Sequence, residues 1–552
     1  MTNEGRVGPK TPVSGEQAVC SSQHPIVTDT MRDVLAGGGT AVDALIAGSL
    51  VQAVVQQDLT NHAGMFTMLF WEAETGTVHE LNSHGTIVPD LPPFHRVPPP
   101  RSQYSASGAG PYAVIPGFMP GMKALYERFA TRPWAELCAP AVHWAEVGHV
   151  VDSFEHLVMA QSYDFFLYTP SGRAHFAPGG HLPQVGDRWP KPELHRTMVR
   201  LAEEGPDYFI TGGWAQDFVR RANELGWPIT LADMAVSRAE WGSGLRYEHR
   251  GHEIVQLSPP ERQAVFCSMV LGILDELDIT SVGHYTESAE ALYYLTHALR
   301  RADNEANLIN DPRIFENPAE VLMSREFHAM AAELIRRSRP TIDLAKHVEV
   351  TGGAARLAAI GQLPSPKPAQ SAGSCELSIV DKHGNWVQSM NTLQGSGIPG
   401  EVIGGVPMIG SNGVNSMDMW IGGWFTGGGR MRCAIGNTLV FKDGRPVLGL
   451  GSPGSVYCTV PQVLSNILDY GMDPYAAEDA PRLYPLRADY QFSMESRVPD
   501  EVTRGVTSLG LLMSPLPAYD WHLGSFQMSW RGEDGRLFGS AGPRRAGSAA
   551  AL

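Results

Sequence analysis

The chain has 552 residues, of which 43% are hydrophobic and 18% are charged, and its net charge is −16. This composition is typical of a packed globular protein and not of a disordered chain, and the negative charge argues against a nucleic-acid partner, which would require a basic face. The six cysteines form no CxxC pair and have no zinc-like spacing with histidine, so the sequence predicts buried, reduced thiols and no metal site.

The N-terminal region favours a flexible tail. Residues 1–20 are polar and rich in Gly and Pro, without a basic segment followed by an apolar one. Elsewhere no apolar run is long enough to span a bilayer. We therefore expect a cytoplasmic protein without a membrane partner.

The region up to residue 350 predicts helices around one strand pair. Residues 28–57 predict a single helix, and Ala41–Val55 within it is apolar on nearly every side, which indicates burial. Met65–Trp71 and Val78–Leu81 predict two paired strands around a tight turn. Residues 117–350 predict a mostly helical region with amphipathic stretches.

The chain changes character after residues 361–373, where three prolines and small polar residues are typical of a linker. Two helices are predicted beyond it, at 459–470 and 475–480. Five segments beyond it predict strands: Ser374–Val380, Trp386–Asn391, Thr438–Phe441, Pro446–Gly449 and Ser525–Trp530. Strands and covering helices that share a core predict a layered α/β sandwich.

Ser374 stands where the linker meets the first of these strands. A serine hydroxyl needs a base to become a nucleophile, and the residue's own α-amino group, with a pKa of about 7.7–8.0, could supply it. That amine exists only if the Gly373–Ser374 bond is cut, and Gly373 tolerates the strained backbone that an N→O acyl shift requires. A turn serine before a strand is the alternative, and composition alone favours it.

Ordered motifs along residues 20–548 change this balance. In the second part they are SCELSIVDKHGN (374–385), SMNTLQGSG (389–397), GSPGS (451–455), NILDYGMD (466–473), APR (480–482) and LFGSAGPRRAG (537–547), and in the first part GGTAVDA (38–44), VIPGFMPG (114–121) and LAD (231–233). Together they resemble the γ-glutamyltransferase family of N-terminal-nucleophile hydrolases, in which a threonine occupies the position of Ser374.

The resemblance implies an α+β fold, the four-layer αββα sandwich of N-terminal-nucleophile hydrolases, built from both halves of one proenzyme. It implies three parts: a tail (1–20), a large subunit (21–373) and a small subunit (374–552) that begins with the nucleophile. One cut, between Gly373 and Ser374, would separate the subunits.

The resemblance also implies roles for individual residues. Ser374 would attack an amide carbonyl, and its freed amine would carry the proton. The backbone of Gly454 and Ser455 would form the oxyanion hole. Asn391 and Ser389 would lie beside the nucleophile and orient its amine or hydroxyl. No cofactor is implied.

The sequence departs from the family pattern at the nucleophile itself. Serine lacks the methyl group that restricts χ1 in threonine, so its hydroxyl should be less preorganised. The neighbouring Cys375 is a rival nucleophile, but burial on the far face of the strand is the favoured interpretation, because only residue 374 would own the free amine.

The expected substrate pocket departs further. The family's carboxylate-binding Arg would lie in the loop 81–87, which contains His84 and Thr86 instead. The family's partners for the glutamyl α-amino group align near Ser416, and its paired serine aligns with Cys433. Loss of an arginine and a carboxylate removes the charges that recognise an amino acid. A glutamyl donor is therefore disfavoured.

Two other side chains could contribute to the pocket. His62 and His84 could bind a small carboxylate or polarise an amide, or they could be ordinary loop histidines. Arg432 could replace the missing cation, or it could form a surface ion pair.

Three functions remain open from the sequence. The first is an autoprocessed amidohydrolase or acyltransferase that acts on a small, non-glutamyl amide through an acyl-Ser374 intermediate. The second is a genuine γ-glutamyl hydrolase or transferase with a glutathione-type donor. The third is an unprocessed, inactive homologue. The family includes both αβ heterodimers and (αβ)₂ assemblies, and we expect a dimer of heterodimers.

Overall fold

Two seven-stranded antiparallel sheets form the centre of the computed structural model. The structure describes residues 6–87, 95–96, 114–161, 166–167, 169–225, 229–338, 374–393, 400–408, 424–425, 427–431, 433, 435–454, 456–485 and 491–552. The linker 361–373 lies outside these ranges, so its prediction stays untested.

The first sheet joins strands from both sides of residue 374. Its order is Glu240–Gly242, Thr77–Ser83, Met65–Glu72, Trp386–Thr392, Ser374–Val380, Val19–Ser22 and Ser548–Ala551. The hairpin of Ser374–Val380 (the Ser374 strand) and Trp386–Thr392 (the Thr392 strand) lies inside this sheet, with Ser374 opposite Thr392. The predicted pair formed by Met65–Glu72 and Thr77–Ser83 is confirmed beside it.

The second sheet also combines early and late segments of the chain. Its order is Val13–Gly15, Leu537–Ala541, Gln527–Arg531, Arg445–Gly451, Thr438–Lys442, His252–Gln256 and Leu245–His249. A three-stranded sheet and four two-stranded sheets complete the described strands: Leu483–Pro485, Gln491–Glu495 and Leu512–Leu516; His149–Val150 with Arg188–Trp189; Thr86–Ile87 with Val114–Ile115; Glu401–Ile403 with Val406–Met408; and His95–Arg96 with Trp424–Phe425.

The two large sheets pack face to face. Ser529 of the second sheet joins them, because its hydroxyl lies 2.6 Å from the Ser378 hydroxyl and accepts a hydrogen bond from the Trp386 indole at 2.6 Å. Gly449 makes room for that indole, since a Cβ there would lie 2.5 Å from Trp386 Nε1. A polar layer therefore lies between the sheets.

Helices cover both outer faces. Ala41–Val55 is buried along its whole length on the first sheet, where Gly48 approaches Leu377. On the second sheet, Cys267 in Gln263–Glu276 accepts a hydrogen bond from Gln256 at 3.5 Å. The layers therefore follow the order helix, sheet, sheet, helix, and the predicted αββα sandwich is confirmed.

The described α-helices are these: Pro25–Ala36, Ala41–Val55, Phe118–Phe129, Trp134–Val147, Ser153–Gln161, Pro170–Phe176, Pro192–Glu204, Asp207–Ile210, Gly213–Glu224, Leu231–Val236, Gln263–Glu276, Ala289–Ala306, Ala319–Leu322, Arg325–Arg337, Val456–Leu468, Pro474–Asp479 and Asp500–Ser508. Short 3-10 helices span Ile279–Val282 and Trp521–Leu523. Within the described ranges, no helix combines the length and apolar character needed to cross a membrane.

Three expectations about the first half are corrected. The tail is wrong for residues 6–20, because Val13–Gly15 pairs with the second sheet and Lys10 Nζ donates to the carbonyls of Gly542 and Arg545 at 2.6 and 2.7 Å. The single helix 28–57 is two helices, separated at residues 37–40, where Thr40 caps the second helix. The mostly helical region 117–350 also contributes three strands to the two large sheets.

Candidate active site

Ser374 begins the Ser374 strand, and its side chain is almost buried, with 6% of the residue exposed. Its hydroxyl donates a hydrogen bond to Thr392 Oγ1 at 2.8 Å across the hairpin. Directly opposed residues on antiparallel strands share a face. Thr392 is thus the side chain that orients the Ser374 hydroxyl, a role that was not predicted from the sequence.

The expectation that Asn391 and Ser389 lie beside the nucleophile is wrong for their side chains. Successive residues of a strand point to opposite faces, so both project away from the Ser374 hydroxyl. Ser389 Oγ donates to the Thr67 carbonyl at 2.9 Å, and Asn391 Nδ2 donates to Gln52 Oε1 in the covering helix at 3.0 Å. Both side chains therefore stabilise the Thr392 strand through contacts on the face opposite to the Ser374 hydroxyl.

Cys375 faces the same helical layer as Asn391. Its thiol is buried and lies 3.5 Å from Gln56 Oε1, the acceptor of its hydrogen bond. Burial raises the pKa of this thiol well above its usual value. Because the thiolate is the reactive form of cysteine, Cys375 is a poor nucleophile, as expected for a side chain on the far face of the strand.

Glu376 projects from the same face as Ser374, two residues further along the strand. Its Oε1 accepts hydrogen bonds from Gln388 Nε2 at 2.7 Å and Asn437 Nδ2 at 2.8 Å. Burial raises the pKa of this carboxyl well above its usual value, because burial disfavours the charged form. A Cβ at Gly451 would lie 2.0 Å from Glu376 Oε1, so only glycine fits there.

The loop after Gly451 begins beside Glu376, which projects from the same face as Ser374. In that loop Gly454 has φ +88°, and a Cβ there would lie 2.8 Å from the His522 carbonyl oxygen and 2.9 Å from Gly524 N. Glycine alone combines this conformation with this space. Gly454 can thus present its backbone N–H without a side chain in the way.

Arg545 holds the other side of the nucleophile residue. Its Nη1 donates to the Ser374 carbonyl oxygen at 2.9 Å and to Gln23 Oε1 at 3.2 Å. Burial lowers the pKa of Arg545 to about 10, so the guanidinium remains charged at neutral pH. Arg545 lies in the motif LFGSAGPRRAG, but no role for it was predicted from the sequence.

The predicted pocket histidines are tied into the protein. His84 Nε2 lies 2.8 Å from Glu261 Oε1, both side chains are fully buried, and His84 Nδ1 lies 3.0 Å from the Met431 carbonyl oxygen. Nδ1 is thus hydrogen-bonded and Nε2 lies against a buried carboxyl group, which leaves no space beside Nε2 for a substrate carboxylate. The Glu261 partner was not predicted from the sequence.

His62 has a packing role. It lies 5.8 Å from Phe118 and 6.1 Å from Phe209 between ring centroids, and its Nε2 lies 3.2 Å from the Leu50 carbonyl oxygen. Burial lowers the pKa of His62 to about 3, so the ring is neutral at physiological pH. The expected substrate contact of His62 is therefore not supported.

The remaining predicted positions divide into two groups. Thr86 is buried in a short strand and bridges to Arg430, and Cys433 is buried with its carbonyl accepting from Arg262 N at 3.2 Å. Four predicted positions lie outside the described residues: Gly373, Ser416, Arg432 and Ser455. Among the described residues, no group of three or more His, Cys, Asp or Glu side chains is arranged to hold a metal ion.

A family model described as gamma-glutamyltranspeptidase matches residues 28–552. The chain belongs to the gamma-glutamyltranspeptidase family. It is thus an enzyme of the hydrolase and acyltransferase type.

Relatives in this family include two proenzymes of similar length. The chain is 25% identical to the glutathione hydrolase-like YwrD proenzyme of Bacillus subtilis (strain 168), over 98% of this chain and 99% of that protein. It is also 25% identical to the acylase ACY 1 proenzyme of Pseudomonas sp. (strain SE83), over 98% of this chain and 95% of that protein.

Solved structures agree with the gamma-glutamyltranspeptidase fold. The cephalosporin acylase from Bacillus halodurans matches with a TM-score of 0.80 and 21% identity, over 99% of this chain and 98% of that one. The gamma-glutamyltranspeptidase from Pseudomonas nitroreducens matches with a TM-score of 0.51 and 22% identity, over 57% of this chain and 94% of that one. At these identities the structures support the fold alone.

Proposed function

We propose that the chain is a proenzyme that cuts itself before Ser374 and then hydrolyses a small, non-glutamyl amide through an acyl-Ser374 intermediate. The observation that carries this proposal is the position of Ser374. It begins an inner strand of the sandwich, and its hydroxyl is held by Thr392 at 2.8 Å. Membership of a family with proenzyme relatives supports it further.

The proposed self-cleavage uses only this bond and water. Ser374 Oγ attacks the Gly373 carbonyl carbon, a new C–O bond forms, the C–N bond breaks, and the nitrogen keeps the hydroxyl proton. Water then hydrolyses the ester and releases the Gly373 carboxyl group. Ser374 is left with a free α-amine and a free hydroxyl, which are a base and a nucleophile on one residue.

In turnover the α-amine takes the hydroxyl proton while Oγ attacks the substrate amide. The leaving amine receives that proton, and water hydrolyses the acyl ester, or another amine accepts the acyl group. The N–H groups of Gly454 and Ser455 are the proposed oxyanion donors. A donor of this kind typically contributes about 10²–10³ in rate.

The preference against a glutamyl donor rests on His84. The loop 81–87 contains no arginine, and His84 is already paired with Glu261 and the Met431 carbonyl. This loop therefore offers no free cation to an α-carboxylate. The proposed substrates are acyl amides without an amino acid headgroup.

The first experiment is the intact mass of the purified chain under denaturing conditions. The proposal expects two chains, the smaller beginning with Ser374. Ser374→Ala should remain uncut and inactive. The matched control is Ser237→Ala, since Ser237 is also buried and its hydroxyl donates to the Pro116 carbonyl at 3.1 Å. That control should be cut normally, and cleavage of Ser374→Ala at the same bond would contradict the mechanism.

The substrate class is tested with three matched p-nitroanilides, the γ-glutamyl, glutaryl and butyryl amides. They differ only in the α-amino group and then in the carboxylate. We expect butyryl or glutaryl turnover to exceed γ-glutamyl turnover by at least about tenfold, the value of one missing charge-assisted hydrogen bond. Preferred γ-glutamyl turnover would support a glutathione-type enzyme instead. Light scattering on the cut protein tests the proposed dimer of heterodimers.

A further inference from the structure

The Ser374 strand has a strand neighbour on only one side at its beginning. The Thr392 strand pairs with all seven residues, but Val19–Ser22 pairs only with Leu377–Val380. The backbone of residues 374–376 therefore extends past the end of its second neighbour. Such a strand end is prone to fray, and the cut before Ser374 would remove the peptide bond that holds it on the N-terminal side.

Arg545 occupies the side that the neighbouring strand leaves open. It lies between strands Leu537–Ala541 and Ser548–Ala551, and its Nη1 donates to the Ser374 carbonyl oxygen at 2.9 Å. The Arg545 carbonyl is fixed in turn by Lys10 Nζ at 2.7 Å. The guanidinium thus takes the place of a strand neighbour for the first residue of the Ser374 strand.

Two aromatic rings flank the guanidinium. The Arg545 Cζ atom lies 5.7 Å from the Phe154 ring centroid and 5.4 Å from the Trp521 ring centroid, and Arg545 is fully buried. Among the described residues, its Nε and Nη2 have no hydrogen-bond partner. A charge shielded from water in this way acts strongly on its neighbours.

Five other titratable groups lie around this strand end. They are Asp58, which follows the helix Ala41–Val55; Cys375 and Glu376 on the strand itself; and Asp152 and Glu155, which interact electrostatically with Asp58. Burial raises the pKa of Asp58, Cys375 and Glu376 well above their usual values, which favours their neutral forms. Glu155 follows the same direction, with a pKa raised to about 8, mainly by burial. Arg545 is the charged side chain in direct contact with the Ser374 backbone.

We propose that Arg545 is a positioning residue for the nucleophile: it fixes the carbonyl of Ser374 and places a positive charge beside the amine that cleavage frees. The proposal rests on the proposed function, because that amine exists only in the cut protein. Covalent geometry places the amine nitrogen about 3–4 Å from its own carbonyl oxygen, so the guanidinium lies within about 7 Å of it.

The consequence concerns the proton that Ser374 must release. A nearby positive charge disfavours an ammonium group, so the amine stays neutral at lower pH and can act as the base. A strand end held by Arg545 also keeps amine and hydroxyl in fixed relation, which is the geometric requirement for attack. Loss of the charge should move the acid limb of reactivity to higher pH.

The test uses phenylmethanesulfonyl fluoride, which needs no knowledge of the substrate. Ser374 Oγ forms a bond to sulfur, the S–F bond breaks, fluoride leaves, and the α-amine takes the hydroxyl proton. The labelling rate of the cut protein is measured from pH 5 to 10 by the mass of the small subunit. The acid limb of this profile reports the ionisation of the amine.

Two substitutions separate charge from geometry. In Arg545→Met the acid limb should rise by about one pH unit or more, which makes labelling below the limb about tenfold slower. In Arg545→Lys the limb should stay in place, with a lower plateau, since the charge is kept but the planar fork is lost. Arg336→Met is the control. Arg336 lies in the helix Arg325–Arg337 and also donates to a backbone carbonyl, that of Glu276.

Each outcome has a defined meaning. An unmoved limb in Arg545→Met, whatever its plateau, would overturn the role of Arg545 alone. If both Arg545 variants fail to fold or to be cut while Arg336→Met behaves like the wild type, Arg545 is a structural residue and the proposal is overturned. An uncut wild-type chain would overturn the proposed function and this inference together.

Discussion

Replacement of Thr392 by valine tests whether the hydrogen bond across the hairpin orients the nucleophile Ser374. Valine has the shape of threonine but no hydroxyl, so the packing of this residue, 1% exposed, is kept. The Ser374 hydroxyl loses its acceptor at 2.8 Å and also the interaction that selects one of its three staggered χ1 rotamers.

The expected loss follows from the burial of both side chains. A buried donor left without its acceptor costs about 1–3 kcal/mol. At about 1.4 kcal/mol per factor of ten, this corresponds to a rate loss of about 5- to 150-fold. The loss should affect the self-cleavage and the later sulfonylation alike, because both begin with attack by Ser374 Oγ.

The assay follows appearance of the small subunit by intact mass and then labelling by phenylmethanesulfonyl fluoride. Thr392→Ser, which keeps the hydroxyl, is the control and should remain within a few-fold of the wild type. Thermal unfolding of both variants checks that the sandwich is intact. Wild-type rates of cleavage and labelling in Thr392→Val would refute the orienting role of Thr392.

Three further predictions follow from single positions. Gly454→Ala should lower thermal stability by more than about 1 kcal/mol, since φ is +88° and the new Cβ would lie 2.8 Å from the His522 carbonyl oxygen; an unchanged Tm in a thermal melt would contradict this. Cys375→Ser should keep cleavage and most labelling, because the thiol lies on the far face; complete loss would move the nucleophile by one residue. Burial lowers the folded pKa of His62 to about 3 from its usual value near 6.5, so its contribution to stability is present above pH 6.5 and is lost as pH falls toward 3. His62→Gln should therefore reduce the slope of unfolding free energy against pH, measured by urea denaturation at pH 4.5–6.5, by up to about 1.4 kcal/mol per pH unit; equal slopes would contradict the burial of a neutral ring.

Local patterns predicted the strands well where the hydrophobic signal was strong. The Ser374 strand, the Thr392 strand and the pair Met65–Glu72 with Thr77–Ser83 were located within a few residues, because each is a continuous run bounded by turn residues. Short strands were missed. Val13–Gly15 and Glu240–Gly242 have three residues each, and distant partners in the large sheets stabilise them rather than any pattern of their own.

The site shows the same division between local and distant information. Thr392 could have been found from the sequence, because a tight turn at residues 381–385 between the two predicted strands places residue 392 opposite Ser374. A choice of Asn391 or Ser389 instead shifts the pairing by an odd number of residues and selects the opposite face. Arg545 could not be found this way, since 171 residues separate it from Ser374 and only the assembled sheet brings them together.

The pair His84–Glu261 bears on the proposed preference against a glutamyl substrate. Glu261 Oε1 lies 2.8 Å from His84 Nε2, and its Oε2 accepts from the Ile435 N–H at 2.8 Å, so the carboxyl group is fixed beside position 84. An arginine at position 84 would pair with the buried Glu261 carboxylate before a substrate arrives. Its charge would then not be available to a substrate carboxylate. The loop of this chain therefore differs from the family pattern in more than the absence of the arginine. It also has an acidic partner, Glu261, already in place, so a change of specificity at this loop would require at least two substitutions.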